Sequence, residues 1–155
     1  MRIAVACDHA GFPLKQEIIA EVEQSGHLVT DIGTYGLEPV DYPDYAEKLG
    51  KVILGKQADR GILICGSGVG ASIAANKIKG IYAAVCHDTY SAHQGVEHDN
   101  MNVLCLGARI VGEELAREIV RAFLGASFST EARHRRRVAK VVNLETYGKI
   151  NGTQP

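Results

Sequence analysis

The chain has 155 residues and a net charge of −1, with 46% of its residues hydrophobic and 23% charged. This length and composition predict a single folded domain over residues 1–155 with a hydrophobic core of its own. A nearly neutral chain argues against general binding to nucleic acid or to a membrane surface. No apolar run approaches 18 residues, and the opening MRIAVACDHAG is unlike a secretory signal, so we expect a cytoplasmic protein.

Short apolar runs alternate with segments of helical periodicity along the chain. The runs predict five strands, at residues 2–7, 27–32, 62–65, 81–86 and 102–106. The periodic segments predict helices beginning near residues 12, 42, 71, 89, 113 and 129. The last helix is expected to run to residue 147, and residues 148–155 are expected to fray. Strands that alternate with helices indicate an α/β fold with a parallel sheet covered on both faces.

Polar residues gather where the predicted strands end. In chain order they are Asp8, His9, Cys65, Ser67, His87 and Asp88. Open parallel sheets bind their ligands outside the carboxyl ends of the strands. The sequence therefore predicts a functional site at this edge of the sheet.

The third predicted strand ends in a glycine-rich turn, CGSGVG at residues 65–70, which leads into an Ala-rich helix. Such a turn presents backbone N–H groups at a helix N-terminus, where negative charge is stabilised. Cys65 lies at the edge of this turn, in surroundings that favour its thiolate form. The residues thus combine a reactive thiol with an anion-binding turn.

Spacing separates the chemistries that use such a turn. A nucleotide-binding P-loop would have Lys and then Ser or Thr after its last glycine, but Ala71 and Ser72 follow Gly70. A cysteine phosphatase would have an arginine where this chain has Ala71. The dinucleotide pattern fits Gly66, Gly68 and Ala71, but the turn follows the third strand and the chain leaves no room for a second domain. We therefore expect no nicotinamide cofactor.

The turn also suits proton transfer at a carbon next to a carbonyl group. Cys65 could remove the proton, the amides of residues 66–70 could hold the resulting enediolate, and Ser67 could carry a proton between two substrate oxygens. That chemistry is aldose–ketose isomerisation, which requires neither a metal nor a cofactor. A buried thiol at a strand end is the alternative interpretation of Cys65, and the residue pattern alone leaves both open.

The other cysteines are interpreted as small buried hydrophobic residues. Cys7, Cys86 and Cys105, like Cys65, each end an apolar run. Their spacing matches no paired zinc-ligand pattern and gives no sign of a disulfide framework. Nothing in the sequence has the close ligand pairing of a metal site, so none is expected.

Four segments are distinctive: CDHAG at 7–11, DYPDYA at 41–46, CGSGVGASIAANK at 65–77 and NVLCLGARIVG at 102–112. Together they resemble the type B ribose-5-phosphate isomerase family. Isomerases of galactose 6-phosphate and of tetrose phosphates resemble the chain as well. The resemblance covers residues 2–147. It implies a three-layer Rossmann-like fold with a five-stranded parallel sheet and an extended C-terminal helix. It also implies a homodimer or tetramer whose active sites are shared between subunits.

The resemblance implies catalytic roles for three residues. Cys65 would be the base that moves the proton between C1 and C2 of the sugar. Ser67 stands where the family usually has threonine, and it would help to open the sugar ring. His98 would be the acid–base group for that ring opening.

The remaining roles implied by the resemblance concern binding of the sugar phosphate. Gly66, Gly68 and Gly70 would form the anion hole. The sugar hydroxyls would be contacted by Asp8, Asp41 and Tyr42. The phosphate would be held by His9, Arg133, Arg137 and, reaching in from a partner subunit, Arg109.

Asp99 departs from the family pattern. The usual run after the histidine is Asn-Asp-x-Asn, whereas this chain has Asp99 in the first of these positions. A carboxylate cannot donate the hydrogen bond that an asparagine amide would donate. Asp99 is therefore a candidate substrate contact that leaves a tetrose, pentose or hexose phosphate open as the substrate.

The basic run at residues 133–137 has two further interpretations, a nucleic-acid patch and a solvated face. Arg133 and Arg137 are four residues apart and share a helix face, which suits a phosphate group better than nucleic acid on a chain of net negative charge. A non-catalytic sugar-phosphate-binding protein stays open as well. It would retain the arginines and the anion-binding turn but would not require a thiol at position 65.

Overall fold

The computed structural model describes residues 1–148 and contains one parallel sheet of five strands. The strands are β1 (Arg2–Cys7), β2 (Leu28–Gly33), β3 (Arg60–Cys65), β4 (Ala83–Val85) and β5 (Val103–Gly107). They lie in the order β2-β1-β3-β5-β4, and β3 is therefore flanked by β1 and β5. This arrangement brings the carboxyl ends of β1, β3 and β5 together at one edge.

Helices follow the strands as the periodicity predicts. They are α1 (Phe12–Gln24), α2 (Tyr42–Leu54), α3 (Val69–Ala75), α4 (Thr89–Asp99), α5 (Glu113–Gly125) and α6 (Ala132–Tyr147). Among residues 1–148, no helix is both long enough and apolar enough to cross a membrane.

Two hydrophobic cores lie on opposite faces of the sheet because neighbouring side chains of a strand point to opposite sides. On β1, Ile3 and Val5 belong to the core formed with α1, α4 and α5, whereas Ala4 and Ala6 belong to the core formed with α2 and α3. All four residues are fully buried. This arrangement confirms the predicted three-layer α/β fold with a five-stranded parallel sheet.

The fourth strand is shorter than the predicted run at residues 81–86. The backbone N–H of Tyr82 donates to Asn102 Oδ1 at 2.8 Å, and that of Ala83 donates to Asn76 Oδ1 at 3.0 Å. Side-chain amides thus take the place of a neighbouring strand at the start of this edge. The apolar run could not reveal this because it reports burial rather than hydrogen-bond partners.

The last helix also begins later than predicted, at Ala132 rather than near residue 129. Ser129 N–H donates to the carbonyl of Glu97, and Ser129 Oγ accepts from Glu131 N–H. The segment before Ala132 is therefore held by non-helical hydrogen bonds. Gly148 ends the helix with a φ of 66°, the left-handed conformation that favours glycine. Of the segment predicted to fray, residues 149–155 lie outside the described residues.

The turn between β1 and α1 packs directly against the end of β3. Asp8 N–H donates to the carbonyl of Ile64 at 3.2 Å, and Asp8 Oδ1 accepts from Gly11 N–H at 2.9 Å. A Cβ atom on Gly11 would lie 2.2 Å from the oxygen of Ile64. Only glycine therefore permits the contact that places Asp8 and His9 beside Cys65.

We predict that Gly11→Ala lowers the free energy of unfolding by about 3 kcal/mol, because the added methyl group meets backbone that cannot move aside. Gly125→Ala is the matched control, since a Cβ there meets nothing within 4 Å and alanine favours a helix by up to about 1 kcal/mol. Urea unfolding at equal protein concentration measures both variants. Equal stability of the two would contradict the close backbone contact.

Candidate active site

A cavity of about 370 Å³ opens at the carboxyl ends of β1 and β3. Its lining consists of Asp8, His9, Ala10, Tyr42, Cys65, Gly66, Ser67, Gly70, Arg109 and Ile110. Eight of these residues are among those singled out from the sequence. The structure therefore brings together the thiol, the glycine-rich turn, a histidine and an arginine.

Cys65 ends β3 with its side chain buried, and its sulfur accepts a hydrogen bond from the backbone. The N–H of Gly68 donates to Cys65 Sγ at 3.0 Å. Gly68 has a φ of 82°, and a Cβ atom there would also crowd Val85 and Leu106. Glycine at this position thus turns the backbone so that an N–H group points at the sulfur, where it stabilises negative charge.

Two backbone N–H groups of the glycine-rich turn are already engaged within the turn, although the sequence predicts that its amides form an anion hole. The N–H of Gly68 is directed at the thiol, and the N–H of Val69 donates to Ser67 Oγ at 3.3 Å. Gly66 and Gly70 line the cavity, whereas Gly68 does not. The spacing of the glycines could not show which of these amides would be engaged within the turn.

The other three cysteines are buried, and none of them lines this cavity. Burial raises the pKa of the Cys7 thiol to about 11 and that of the Cys86 thiol to about 11. Burial also raises the pKa of Cys105, and Cys65 adds to the effect. The interpretation of these three as buried hydrophobic residues is confirmed.

Arg109 reaches the cavity of its own chain. Ala108 N–H donates to the carbonyl of Cys65 at 2.8 Å, and Arg109 N–H donates to the carbonyl of Gly66 at 3.0 Å. The loop after β5 therefore lies along the turn after β3. Within one chain, these backbone bonds hold Arg109 beside its own Cys65, and its expected contribution from a partner subunit stays a prediction.

His9 is fixed by the backbone of the loop before α2. Its Nδ1 atom lies 3.1 Å from the N–H of Val40 and 3.2 Å from the carbonyl of Val40. When Nδ1 accepts from that N–H group, the neutral ring carries its proton on Nε2. Nε2 is then a hydrogen-bond donor that a bound anion can use.

Tyr42 begins α2 and packs over the glycine-rich turn. A Cβ atom on Gly70 would lie 2.9 Å from Tyr42 Cζ, so the ring lies against this backbone. Asp41 is exposed and precedes Tyr42 as the residue before the helix, without a side-chain hydrogen bond to the helix N-terminus. Asp41 does not line the cavity, although its neighbour does.

Four predicted site residues lie on α4 and α6, outside the lining of this cavity. They are His98, Asp99, Arg133 and Arg137. Both arginines are exposed, and Arg133 pairs with Glu131 at 2.7 Å. Asp99 is exposed and lines a smaller cavity of about 190 Å³. Within one chain, the site residues therefore form two separate groups.

His98 packs on a second histidine that the sequence did not single out for the site. The ring centroids of His98 and His134 are 4.0 Å apart, and His134 is buried. Burial lowers the pKa of His134, and His98 and Arg133 lower it further. The solvated-face interpretation of residues 133–137 therefore fails at His134, because the helix turns this one position against α4 while the four arginines stay exposed.

His87 and Asp88, which had no assigned role, support the local structure. His87 Nε2 accepts from Gly107 N–H at 3.2 Å, which holds the end of β5. Asp88 precedes α4, and its Oδ1 atom accepts from Ser91 N–H at 2.7 Å. That bond lowers the pKa of the Asp88 carboxyl. Among residues 1–148, no group of three or more His, Cys, Asp or Glu is placed to hold a metal ion.

Fold and site together define a class: α/β proteins with a thiol and a glycine-rich turn at a cavity on the carboxyl edge of a parallel sheet. The Ribose/Galactose Isomerase family matches residues 3–141, and the chain belongs to this family.

Relatives and solved structures are similar over most of the chain. Ribose-5-phosphate isomerase B of Escherichia coli strain K12 is 49% identical, and the matched region covers 93% of this chain and 96% of that protein. The D-erythrulose-4-phosphate isomerase of Pectobacterium atrosepticum is 45% identical over 83% of this chain and 85% of its own. The structure of Clostridium thermocellum ribose-5-phosphate isomerase B has a TM-score of 0.91 and 45% identity, covering 96% of this chain and all of that one.

We predict that iodoacetamide alkylates Cys65 before the other three cysteines. Only thiolate reacts, and at about pH 8 a thiol of pKa about 11, as at Cys7 and Cys86, is ionised in roughly one molecule per thousand. Mass spectrometry of tryptic peptides measures the order of labelling. Cys65→Ser should remove the fast phase, whereas Cys86→Ser should leave it unchanged. If Cys86 were labelled as fast as Cys65, the predicted difference in reactivity between Cys65 and the other three cysteines would be contradicted.

Proposed function

We propose that this protein interconverts ribose 5-phosphate and ribulose 5-phosphate through an enediolate intermediate. The observation that carries the proposal is the Cys65 thiol, which accepts the Gly68 N–H and faces a cavity shared with Ser67, His9 and Arg109. A base beside hydrogen-bond donors is the arrangement that proton abstraction next to a carbonyl requires. Membership of the family supports the same reaction.

In the proposed reaction, the Cys65 thiolate removes the proton from C2 of the open-chain aldose. The C2–H electron pair forms the C1–C2 double bond, and negative charge moves onto the carbonyl oxygen. Amides of Gly66 and Gly70 hold that charge, and Ser67 Oγ carries a proton from the O2 hydroxyl to O1. The thiol then returns its proton to C1, so the enzyme ends unchanged and no cofactor is required.

The phosphate is held at the far end of the cavity. His9, with Nε2 available as a donor, and Arg109 provide the contacts within one chain. Guanidinium groups bind phosphate through two parallel hydrogen bonds. Asp8 and Tyr42 contact the sugar hydroxyls from the cavity wall, and Asp41 contributes from the segment before α2.

We propose further that a second copy of the chain completes this site, in a homodimer or tetramer with shared active sites. The support is the separation of the four residues on α4 and α6 from the cavity lining. The outer face of α3 next to the turn also exposes apolar side chains, with Val69 53% and Ile73 58% exposed. In this assembly, His98, Arg133 and Arg137 of one chain reach the cavity of the other.

We also propose that the protein acts in the cytoplasm, within pentose phosphate metabolism. Its four cysteines are free and buried, as is usual in a reducing compartment.

A tetrose phosphate is a second candidate substrate. Asp99 presents a carboxylate where the family pattern has an amide, and the Pectobacterium relative is named as an erythrulose-4-phosphate isomerase. Turnover of aldose phosphates with four, five and six carbons, compared by kcat/KM, distinguishes the substrates. If kcat/KM is highest for the five-carbon sugar, the proposal is supported. If it is highest for a four- or six-carbon sugar, that sugar becomes the proposed substrate instead.

We predict that Cys65→Ala lowers kcat for ribose 5-phosphate by about 10²–10⁴-fold, the contribution of a general base, while binding of inorganic phosphate stays within about twofold. Cys86→Ala is the matched control, because it removes a buried strand-end thiol that does not line the cavity. A coupled assay of ribulose 5-phosphate and calorimetry measure the two quantities. Unchanged turnover in Cys65→Ala would remove this residue as the base, and absent turnover in the unmodified protein would favour a non-catalytic binding protein.

We predict that mixing Cys65→Ala with His98→Asn restores activity that neither variant has alone. If each site uses Cys65 of one chain and His98 of the other, a mixed dimer contains one intact site. Random reassembly then gives about a quarter of the unmodified activity. The variants are unfolded together, refolded and assayed with ribose 5-phosphate. Activity no higher than the average of the separate variants would show that the sites are not shared.

A further inference from the structure

Gln94 on α4 connects His98 with Asp99. Its Nε2 atom lies 2.9 Å from His98 Nδ1 and 3.4 Å from Asp99 Oδ2. The Asp99 carboxylate can only accept hydrogen bonds, so it is the NH₂ end of the Gln94 amide that faces both groups. The second N–H of that end then donates to His98 Nδ1. In the neutral imidazole, Nδ1 is therefore the acceptor and the proton lies on Nε2.

The surroundings of the other ring nitrogen agree with this tautomer. Glu97 Oε2 lies 3.7 Å from His98 Nε2, so an acceptor faces the nitrogen that carries the proton. From α6, the buried ring of His134 packs on that of His98 with a centroid separation of 4.0 Å and an angle of 35°. The ring plane and the position of the proton are thus both set by neighbours.

We propose that Gln94, oriented by Asp99, is a positioning residue that holds His98 as the neutral tautomer with its proton on Nε2. The inference rests on the proposed function, in which His98 assists ring opening. It adds the form in which His98 acts: a neutral hydrogen-bond donor aimed at the ring oxygen. It also gives Asp99 a role toward the enzyme's own histidine in addition to any substrate contact.

The ring-opening step balances with His98 in this form. The proton of the O1 hydroxyl leaves, its electron pair forms the C1–O1 double bond, and the C1–O4 bond breaks with its pair on O4. The proton from O1 reaches O4 through Ser67 and solvent. His98 Nε2–H donates a hydrogen bond to O4 while charge builds up there, and it neither gains nor loses a proton overall. Neutral imidazole is an effective donor to developing oxyanions.

The first test is the tautomer itself, measured by nitrogen NMR of the ¹⁵N-labelled full-length protein at a pH where His98 is neutral. His98→Asn identifies the signals of this residue by their loss. We expect Nε2 to be protonated in the unmodified protein. Gln94→Glu places an acceptor beside Nδ1, and we expect it to move the proton to Nδ1. A His98 proton on Nδ1 in the unmodified protein, or a tautomer insensitive to Gln94→Glu, would overturn the inference.

The second test separates ring opening from proton abstraction. Ribose 5-phosphate is mainly cyclic, but ribulose 5-phosphate is open-chain because its O5 is esterified, so proton abstraction from C1 of ribulose 5-phosphate needs no ring opening. We expect Gln94→Leu to lower kcat/KM for ribose 5-phosphate about 10-fold, part of the contribution of a donor to a developing oxyanion. The enzyme-catalysed incorporation of solvent deuterium at C1 of ribulose 5-phosphate, followed by NMR in D₂O, should stay within about twofold. Equal losses in the two measurements would indicate a general structural role and overturn the inference.

Gln16→Leu is the control for the chemical change, because Gln16 is an exposed residue in the middle of α1. Both tautomer and kinetics should be unaffected by it. The two tests also separate this inference from the proposed function. If the unmodified protein has the expected tautomer but does not isomerise ribose 5-phosphate, the proposed function fails, and the catalytic part of the inference fails with it.

Discussion

Backbone contact between three neighbouring turns holds the candidate site together. The turn after β3 lies between the turns after β1 and β5, and glycine makes the approach possible on both sides. A Cβ atom would lie 2.2 Å from the Ile64 oxygen at Gly11 and 2.7 Å from the Ser67 oxygen at Gly107. Because these contacts are backbone to backbone, they fix the thiol, the turn and Arg109 without depending on flexible side chains.

This constraint explains why the thiol at position 65 differs from the other three. Cys7 ends β1, Cys86 follows β4 directly and Cys105 lies within β5, and burial raises the pKa of each. Only after β3 does a left-handed glycine turn an N–H group toward the sulfur. The chemical difference between otherwise similar cysteines thus comes from the backbone conformation of the three residues that follow Cys65.

The sequence predicted the sheet, its helices and eight residues of the cavity, because apolar periodicity reports burial and strand ends meet at one edge. It missed contacts that depend on how distant elements meet. Five of the six residues within three positions of His134 are charged, which predicts an exposed position. Its place on α6 nevertheless turns the ring toward His98. The use of the Gly68 N–H by Cys65 Sγ depends on the local φ, which glycine spacing alone does not fix.

The separation of the two residue groups has a consequence for specificity. The turns at the sheet edge are locked by backbone contacts, so a substitution there disturbs the thiol together with everything packed on it. Asp99, by contrast, is exposed at the end of α4 and contacts Gln94 through a side chain. In the proposed mechanism, a change at this position would alter how the sugar ring is opened or held without moving the thiol that is proposed to abstract the proton. Variation in substrate among related isomerases is easier to accommodate on such a helix end than on the turn after β3.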